Sequence, residues 1–273
     1  MSLVNINHVP EWYTVNINIK TGYRRPMSLY HALKSMCQWH NETLNIHTHL
    51  LVGLYFLYAF FGILQDSQFQ SSSPECQYLF YAAYLGASSM GIFSGLAHGL
   101  FIVSKEWSTI LWKLDFTGII LVNFSHHLLD SFLIFKGIIK NTFLCRFVFT
   151  LETICALWCI LRIWNSDLSI GRYWAFVYPI VTSIPLTLPL YAYSRKMLDS
   201  GHGSDIIEVS YSSLQCTMYI FLAGGLFFKG GFPERYWNPR NIFDRFSSHT
   251  FHHIFINCSI FAAFNSLSLL YKM

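Results

Sequence analysis

The sequence predicts an all-α integral membrane protein, a bundle of seven transmembrane helices. Three observations carry this. The 273 residues are 53% hydrophobic and 18% aromatic. Only 12% are charged, whereas a soluble domain carries about 25%. The apolar residues also gather into seven runs, each near the ~20 residues that a helix needs to cross a bilayer. These runs do not alternate polar with apolar, as the ~10-residue strands of a membrane barrel do.

Residues 1–43 are mixed and polar, without the basic-then-apolar pattern of a signal peptide. They read as a cytoplasmic N-terminal segment ahead of a membrane domain over 44–273. The first run, 44–64, serves as its own signal anchor and ends before the break at Ser71-Ser72-Ser73-Pro74. The second run, 78–103, carries Gly91, Gly95 and Gly99, two overlapping steps of small residues that let helices approach closely. A dimer contact is the other use of such a stripe. The third and fourth runs are 110–134 and 142–163. The fifth, 172–193, is bent by Pro179, Pro185 and Pro189, and Gly201-His202-Gly203 marks the loop after it. The sixth, 211–230, ends at Gly230-Gly231-Phe232-Pro233, and the seventh is 248–271. Trp39, Trp107, Trp112 and Tyr271 fall near run ends and read as interfacial anchors.

The charges set the orientation and exclude one class of partner. With the N-terminus inside, the inner side collects Lys20, Arg24, Arg25, Lys34, Lys105, Lys113, Arg162, Arg172, Lys229, Arg235, Arg240 and Arg245. The outer side holds Lys136, Lys140, Arg146, Arg195, Lys196 and Lys272. Twelve against six favours a cytoplasmic N-terminus. The net charge of +4 is scattered along run ends, which argues against a nucleic-acid partner. The seven cysteines are an odd number, mostly within apolar runs and without a CxxC pair. They read as small core residues, not as a disulfide framework.

Ionisable groups inside apolar runs mark functional sites by default. Such groups are His98 in Ser94-x-x-x-His98, Asp115, and His249-x-x-x-His253. The second span runs towards the inner side, while the third and seventh start there. Parity alone therefore brings all four groups to one face of the membrane, for either orientation. Ser94 and His98 share a helix face at i, i+4, and so do His249 and His253, a spacing that chelates a metal from one helix. Three histidines leave a fourth position of a catalytic zinc to water. Asp115 could orient or deprotonate that water, and Ser94 could bond the water, Asp115 or a substrate oxyanion. His252, at i+3 from His249, competes with His253, and hydrogen-bonded core histidines are the bland alternative. His126, His127 and Asp130 lie towards the opposite side and read as a separate polar cluster. Glu42 reads as a structural residue that caps the first span or pairs with an arginine.

The chain resembles the progestin and adipoQ receptors, relatives of the haemolysin III-type proteins. The resemblance rests on Asn41-Glu42-Thr43-Leu44-Asn45-Ile46-His47-Thr48-His49-Leu50 and on Ser94-x-x-x-His98 with Asp115 and His249-x-x-x-His253. It also rests on Pro233-Glu234-Arg235 followed by Phe243-Asp244. Gly22-Tyr23-Arg24-x-Pro26 is similar to the steroid-receptor branch. Two departures stand out. His47 replaces a usual aromatic residue, and the stretch Tyr236–Ile242 lacks the usual Pro-Gly.

The resemblance implies a seven-helix fold unrelated in ancestry to G-protein-coupled receptors, with an inside N-terminus and zinc on His98, His249 and His253. It also implies a receptor for a steroid or an adiponectin-like ligand, and for some members hydrolysis of ceramide. Two functional expectations follow. In the first, an inner-leaflet zinc hydrolyses a ceramide-like lipid amide, with Asp115 as base and Ser94 as positioning or oxyanion donor. In the second, the protein senses a membrane lipid or steroid ligand, and zinc only ties the second and seventh spans together.

Overall fold

Side-chain caps decide where three of the long helices begin. The structure, a computed structural model, describes residues 2–13, 16–133, 141–182, 220 and 222–271. Its helices are α1 (Leu29–Ser35), α2 (Thr43–Ile63), α3 (Ser67–Gln70), α4 (Pro74–Leu100), α5 (Lys105–Ser131), α6 (Thr142–Trp164), α7 (168–182), α8 (222–230) and α9 (Ser248–Tyr271). Among the described residues no strand forms, and Val4 and Tyr23 make an isolated bridge.

Two helices start before the apolar runs that announce them. The Ser73 hydroxyl accepts from Cys76 N and Pro74 occupies the first turn, so α4 starts at 74. Ser104 likewise accepts from Trp107 N and starts α5 at 105. Both caps satisfy amide groups that a helix start leaves without partners. Asn141 does the same for α6 through Leu144 N. The rest of the fifth expected span, with Pro185 and Pro189, the Gly201-His202-Gly203 loop, Cys216 and most of the sixth span up to 219 lie outside the described residues.

By length and composition, α2, α4 and α6 can each cross a membrane. The α5 helix is as long as α4 but carries Lys105, Glu106, Lys113, Asp115 and Asp130. The α9 helix opens with Ser248, His249, Thr250, His252 and His253. Polarity is concentrated in the helices that build the site described below.

The α4 helix is central, packed between α2 and α5, with α6 on α5 and α9 on α2. Glycines permit the α2–α4 approach. A Cβ on Gly91 would lie 2.5 Å from Gly53 N, and one on Gly53 would lie 2.6 Å from Ile92 N. Gly95 meets Leu50, and Gly99 meets the Met36 side chain. The glycine stripe therefore serves packing within the chain. Away from the bundle, Leu51, Leu54 and Tyr58 of α2 and Phe143, Ile154 and Leu157 of α6 are exposed, as lipid-facing side chains would be.

Residues 2–13 and 16–42 pack across one end of this bundle. Asp244, fully buried, accepts from Lys20 N, Thr21 N and Thr21 Oγ1. Glu234 accepts from Asn16 Nδ2 at 2.8 Å and from Ser248 N, the first residue of α9, at 2.7 Å. The segment before α9 contains two left-handed residues, Arg240 (φ 52) and Asn241 (φ 59). This turn falls in the stretch that lacks the usual Pro-Gly. Asn238 steadies it by bonding Asp244 Oδ1 and Phe243 N.

Candidate metal centre

Where α4 ends and α9 begins, three imidazoles face one another. His98 lies two residues before the end of α4, and His249 and His253 occupy the first two turns of α9. The Nε2 atoms of His98 and His249 are 3.2 Å apart, and those of His249 and His253 are 2.9 Å apart. One ligand atom from each residue fits within 4.8 Å of the others. His98 and His253 are each 3% exposed, so water cannot solvate these nitrogens freely.

Hydrogen bonding alone satisfies this arrangement poorly. His98 Nδ1 lies 2.8 Å from Glu42 Oε2. Burial alone would raise the Glu42 carboxyl; the hydrogen bonds from His98 and the Asn45 amide bring it down. An ionised Glu42 accepts from Nδ1–H, which leaves His98 Nε2 a bare acceptor. His249 Nε2 then faces two ring nitrogens with at most one hydrogen to share. A cation at the centre suits all three. Tetrahedral zinc ligated at about 2.0–2.1 Å holds its nitrogens roughly 3.3 Å apart, close to the spacing found. The Glu42–His98 pair also has the form of the carboxylate–histidine partners that orient metal ligands.

A polar seam between α2 and α9 steadies the other two histidines. Thr48 Oγ1 lies 3.4 Å from His253 Nδ1. Thr250 Oγ1 donates to Asn45 Oδ1 at 2.7 Å, and Asn257 Nδ2 donates to Thr48 O at 2.9 Å. The His49 ring packs edge-on against His253 with centroids 3.9 Å apart. His252 turns away from the centre, its ring stacked on Phe228.

Asp115 on α5 is buried and faces the Ser94 side chain on α4, within electrostatic range of His98 and of Arg172 on α7. It lies outside the three-nitrogen group. The four-residue turn 101–104 between α4 and α5 forces the two helices antiparallel and brings Asp115 level with Ser94. Thus Ser94, His98, Asp115, His249 and His253 all meet in one region. His127 instead pairs with Glu152 of α6 at 3.5 Å, and Glu152 accepts from Tyr178 at 3.0 Å. His126 packs on Phe264. That cluster is separate from the centre.

Glu42 departs from its expected role. It occupies the N-cap position of α2, yet its side chain makes no cap bond and reaches His98 and Asn45. Sequence reasoning assigned nothing to Asn45, Thr48 or His49. A signal existed: residues 42, 45 and 49 recur at helical spacing along an apolar helix, a polar stripe on one face.

Comparison with known proteins extends over nearly the whole chain. Heptahelical transmembrane protein 1 of Arabidopsis thaliana is 25% identical over 261 residues, covering 93% of this chain and 76% of its own length. Human membrane progestin receptor alpha is 25% identical over 259 residues, covering 93% of this chain and 73% of its own. The adiponectin receptor protein of Drosophila melanogaster is 24% identical over 277 residues, covering 96% of this chain and 58% of its own. The pattern of the haemolysin-III related family matches residues 37–264, a stretch that includes α2 to α8, most of α9 and every proposed ligand. This all-helical membrane-type chain therefore belongs to the haemolysin-III related family, the family of the progestin and adipoQ receptors.

Proposed function

We propose that this chain is a seven-span membrane protein with a cytoplasmic N-terminus, and that it holds zinc on His98, His249 and His253 to hydrolyse a lipid amide of the ceramide class. The observation that carries the reading is the set of three ring nitrogens, 2.9 and 3.2 Å apart, with the carboxylate of Asp115 close by. Zinc bound there would supply Lewis acidity and lower the pKa of water towards 7. Asp115 is the general base: its carboxylate takes a proton from water and returns it to the leaving amine. Ser94 holds that carboxylate through its hydroxyl and can also donate to a developing oxyanion. Glu42 fixes the tautomer and ring plane of His98. The site lies at the ends of membrane helices, which suits a substrate with one polar group and long apolar chains.

The names of the relatives favour a second reading, a receptor for a steroid or adiponectin-like ligand in which zinc ties α4 to α9 without turnover. One experiment separates the two. Purified wild type, His253→Ala and Asp115→Asn are assayed for bound zinc and for fatty acid release from ceramide. Release by wild type, lost in Asp115→Asn with zinc retained, supports the hydrolase. Zinc without release from any lipid amide tested supports the receptor reading.

A further inference from the structure

Arg24 is buried where the N-terminal segment meets the bundle, with the Glu42 carboxylate within electrostatic range. It is 1% exposed, an expensive position for a guanidinium unless its donors are satisfied. Nη2 donates to the carbonyl of His98 at 2.7 Å, and Nη1 donates to the carbonyl of Gly99 at 2.9 Å. Nη1 also donates to Ser35 Oγ at 2.8 Å, whose hydroxyl donates to Ala32 O. These carbonyls lie in the last turn of α4, where a helix leaves acceptors without partners and favours a cation. Arg24 itself is fixed, because its carbonyl accepts from Tyr13 Oη at 3.1 Å and the adjacent Tyr23 bridges to Val4.

His98 is therefore held twice from outside its own helix, and both holds come from the N-terminal segment. Glu42 holds the ring, and Arg24 holds the main chain of the same residue. Lysine carries the charge but presents a single donor point, so it cannot reproduce a planar fork on two successive carbonyls. The segment also reaches the second ligand helix, since Glu234 bonds both Asn16 and the first amide of α9.

We propose that Arg24 is a positioning residue of the metal centre: its guanidinium sets the backbone of His98 and thereby the direction of that ligand. This rests on the reading that His98, His249 and His253 bind a metal. Arg24 touches neither the metal position nor the reacting atoms and acts only through His98.

The test uses the full-length chain, with zinc affinity and the visible absorption of the cobalt-loaded protein as readouts. Arg24→Lys should weaken zinc binding by roughly 10- to 100-fold, the usual effect of losing an outer partner of a ligand, and should lower the intensity of the tetrahedral cobalt bands. Gly86→Ala is the control for instability alone, because its Cβ would collide with Ser125 on α5, away from His98. It should lower thermal stability and leave the cobalt spectrum unchanged. Ser35→Ala, which frees one partner of the guanidinium, should give a smaller shift in the same direction and serves if Arg24→Lys does not fold. Wild-type zinc affinity and cobalt spectrum in Arg24→Lys, or in Ser35→Ala where it alone folds, would overturn the proposal while leaving the metal centre intact. Equal spectral losses in Gly86→Ala would overturn it too. Wild-type protein that binds no metal overturns both this and the metal centre.

Discussion

Replacing Gly91 with alanine tests how the α2–α4 contact supports the centre. The new Cβ would lie 2.5 Å from Gly53 N, 2.6 Å from Gly53 Cα and 2.6 Å from His49 O. All three are main-chain atoms and none can rotate away, so the helices must part by roughly 1 Å in a close-packed interior. Overpacking costs about 1–3 kcal/mol, and rigid backbone neighbours put this case at the upper end. Removing a mid-helix glycine returns roughly 0.5–1 kcal/mol. The net loss is about 2 kcal/mol, or ~4–8 °C in Tm for a chain of this size. Gly62→Ala is the matched control, since nothing lies within 4 Å of its Cβ and it should be neutral or slightly stabilising. The parting of α2 from α4 also separates Glu42 from His98, whose ring it orients, so Gly91→Ala should bind zinc more weakly as well. The assay is thermal unfolding in detergent, followed by intrinsic tryptophan fluorescence, with metal titration on the same samples. A Gly91→Ala protein as stable as Gly62→Ala would refute the close-contact argument.

Further predictions follow from the same geometry. Glu42→Gln leaves a similar shape without the anionic acceptor and should reduce zinc affinity by roughly 10- to 100-fold in a competition titration. Asp115→Asn should keep zinc and lower fatty acid release by about 10²- to 10⁴-fold, the usual contribution of a general base; unchanged release would remove Asp115 from the mechanism. His40 is fully buried outside the spans, and burial, with the Arg24 charge, pushes its imidazole down to about 3. The unfolded chain binds that proton near pH 6.5, so the contribution of His40 is intact above about 6.5 and is lost as pH falls towards 3. At pH 5 this amounts to about 2 kcal/mol. His40→Asn should flatten the fall of Tm with acid by a corresponding amount, and an unchanged slope would refute the assignment. Arg240→Gly relieves a left-handed residue at an exposed turn and should raise stability by up to about 1 kcal/mol.

The expectation that the three histidines meet rests on the parity of seven expected spans, and the structure groups them. Antiparallel spans return to the same face after every second crossing, and errors of several residues in a boundary do not change that. The α4 and α5 boundaries did shift, since Ser73 and Ser104 start helices before the apolar runs begin. Helix rotation was not legible. Which neighbour a side chain of α2 meets depends on how α2 sits against α4. That is fixed by the Gly53–Gly91 contact, which no spacing within one helix reveals. For this reason Glu42 read as a cap, and Asn45, Thr48 and His49 passed without a role. Arg24 was harder still. Charge counting treats every arginine as a marker of the inner side, and its partner Gly99 is 75 residues away in the chain.

Metal analysis of the purified full-length chain, beside His253→Ala, addresses the central claim most directly. The account predicts one zinc per wild-type chain and its loss when the His253 imidazole is removed. It also predicts release of the metal as the protein is acidified, since zinc needs neutral imidazoles. Wild-type protein that hydrolyses ceramide without stoichiometric metal, or His253→Ala that retains a full equivalent, would contradict it.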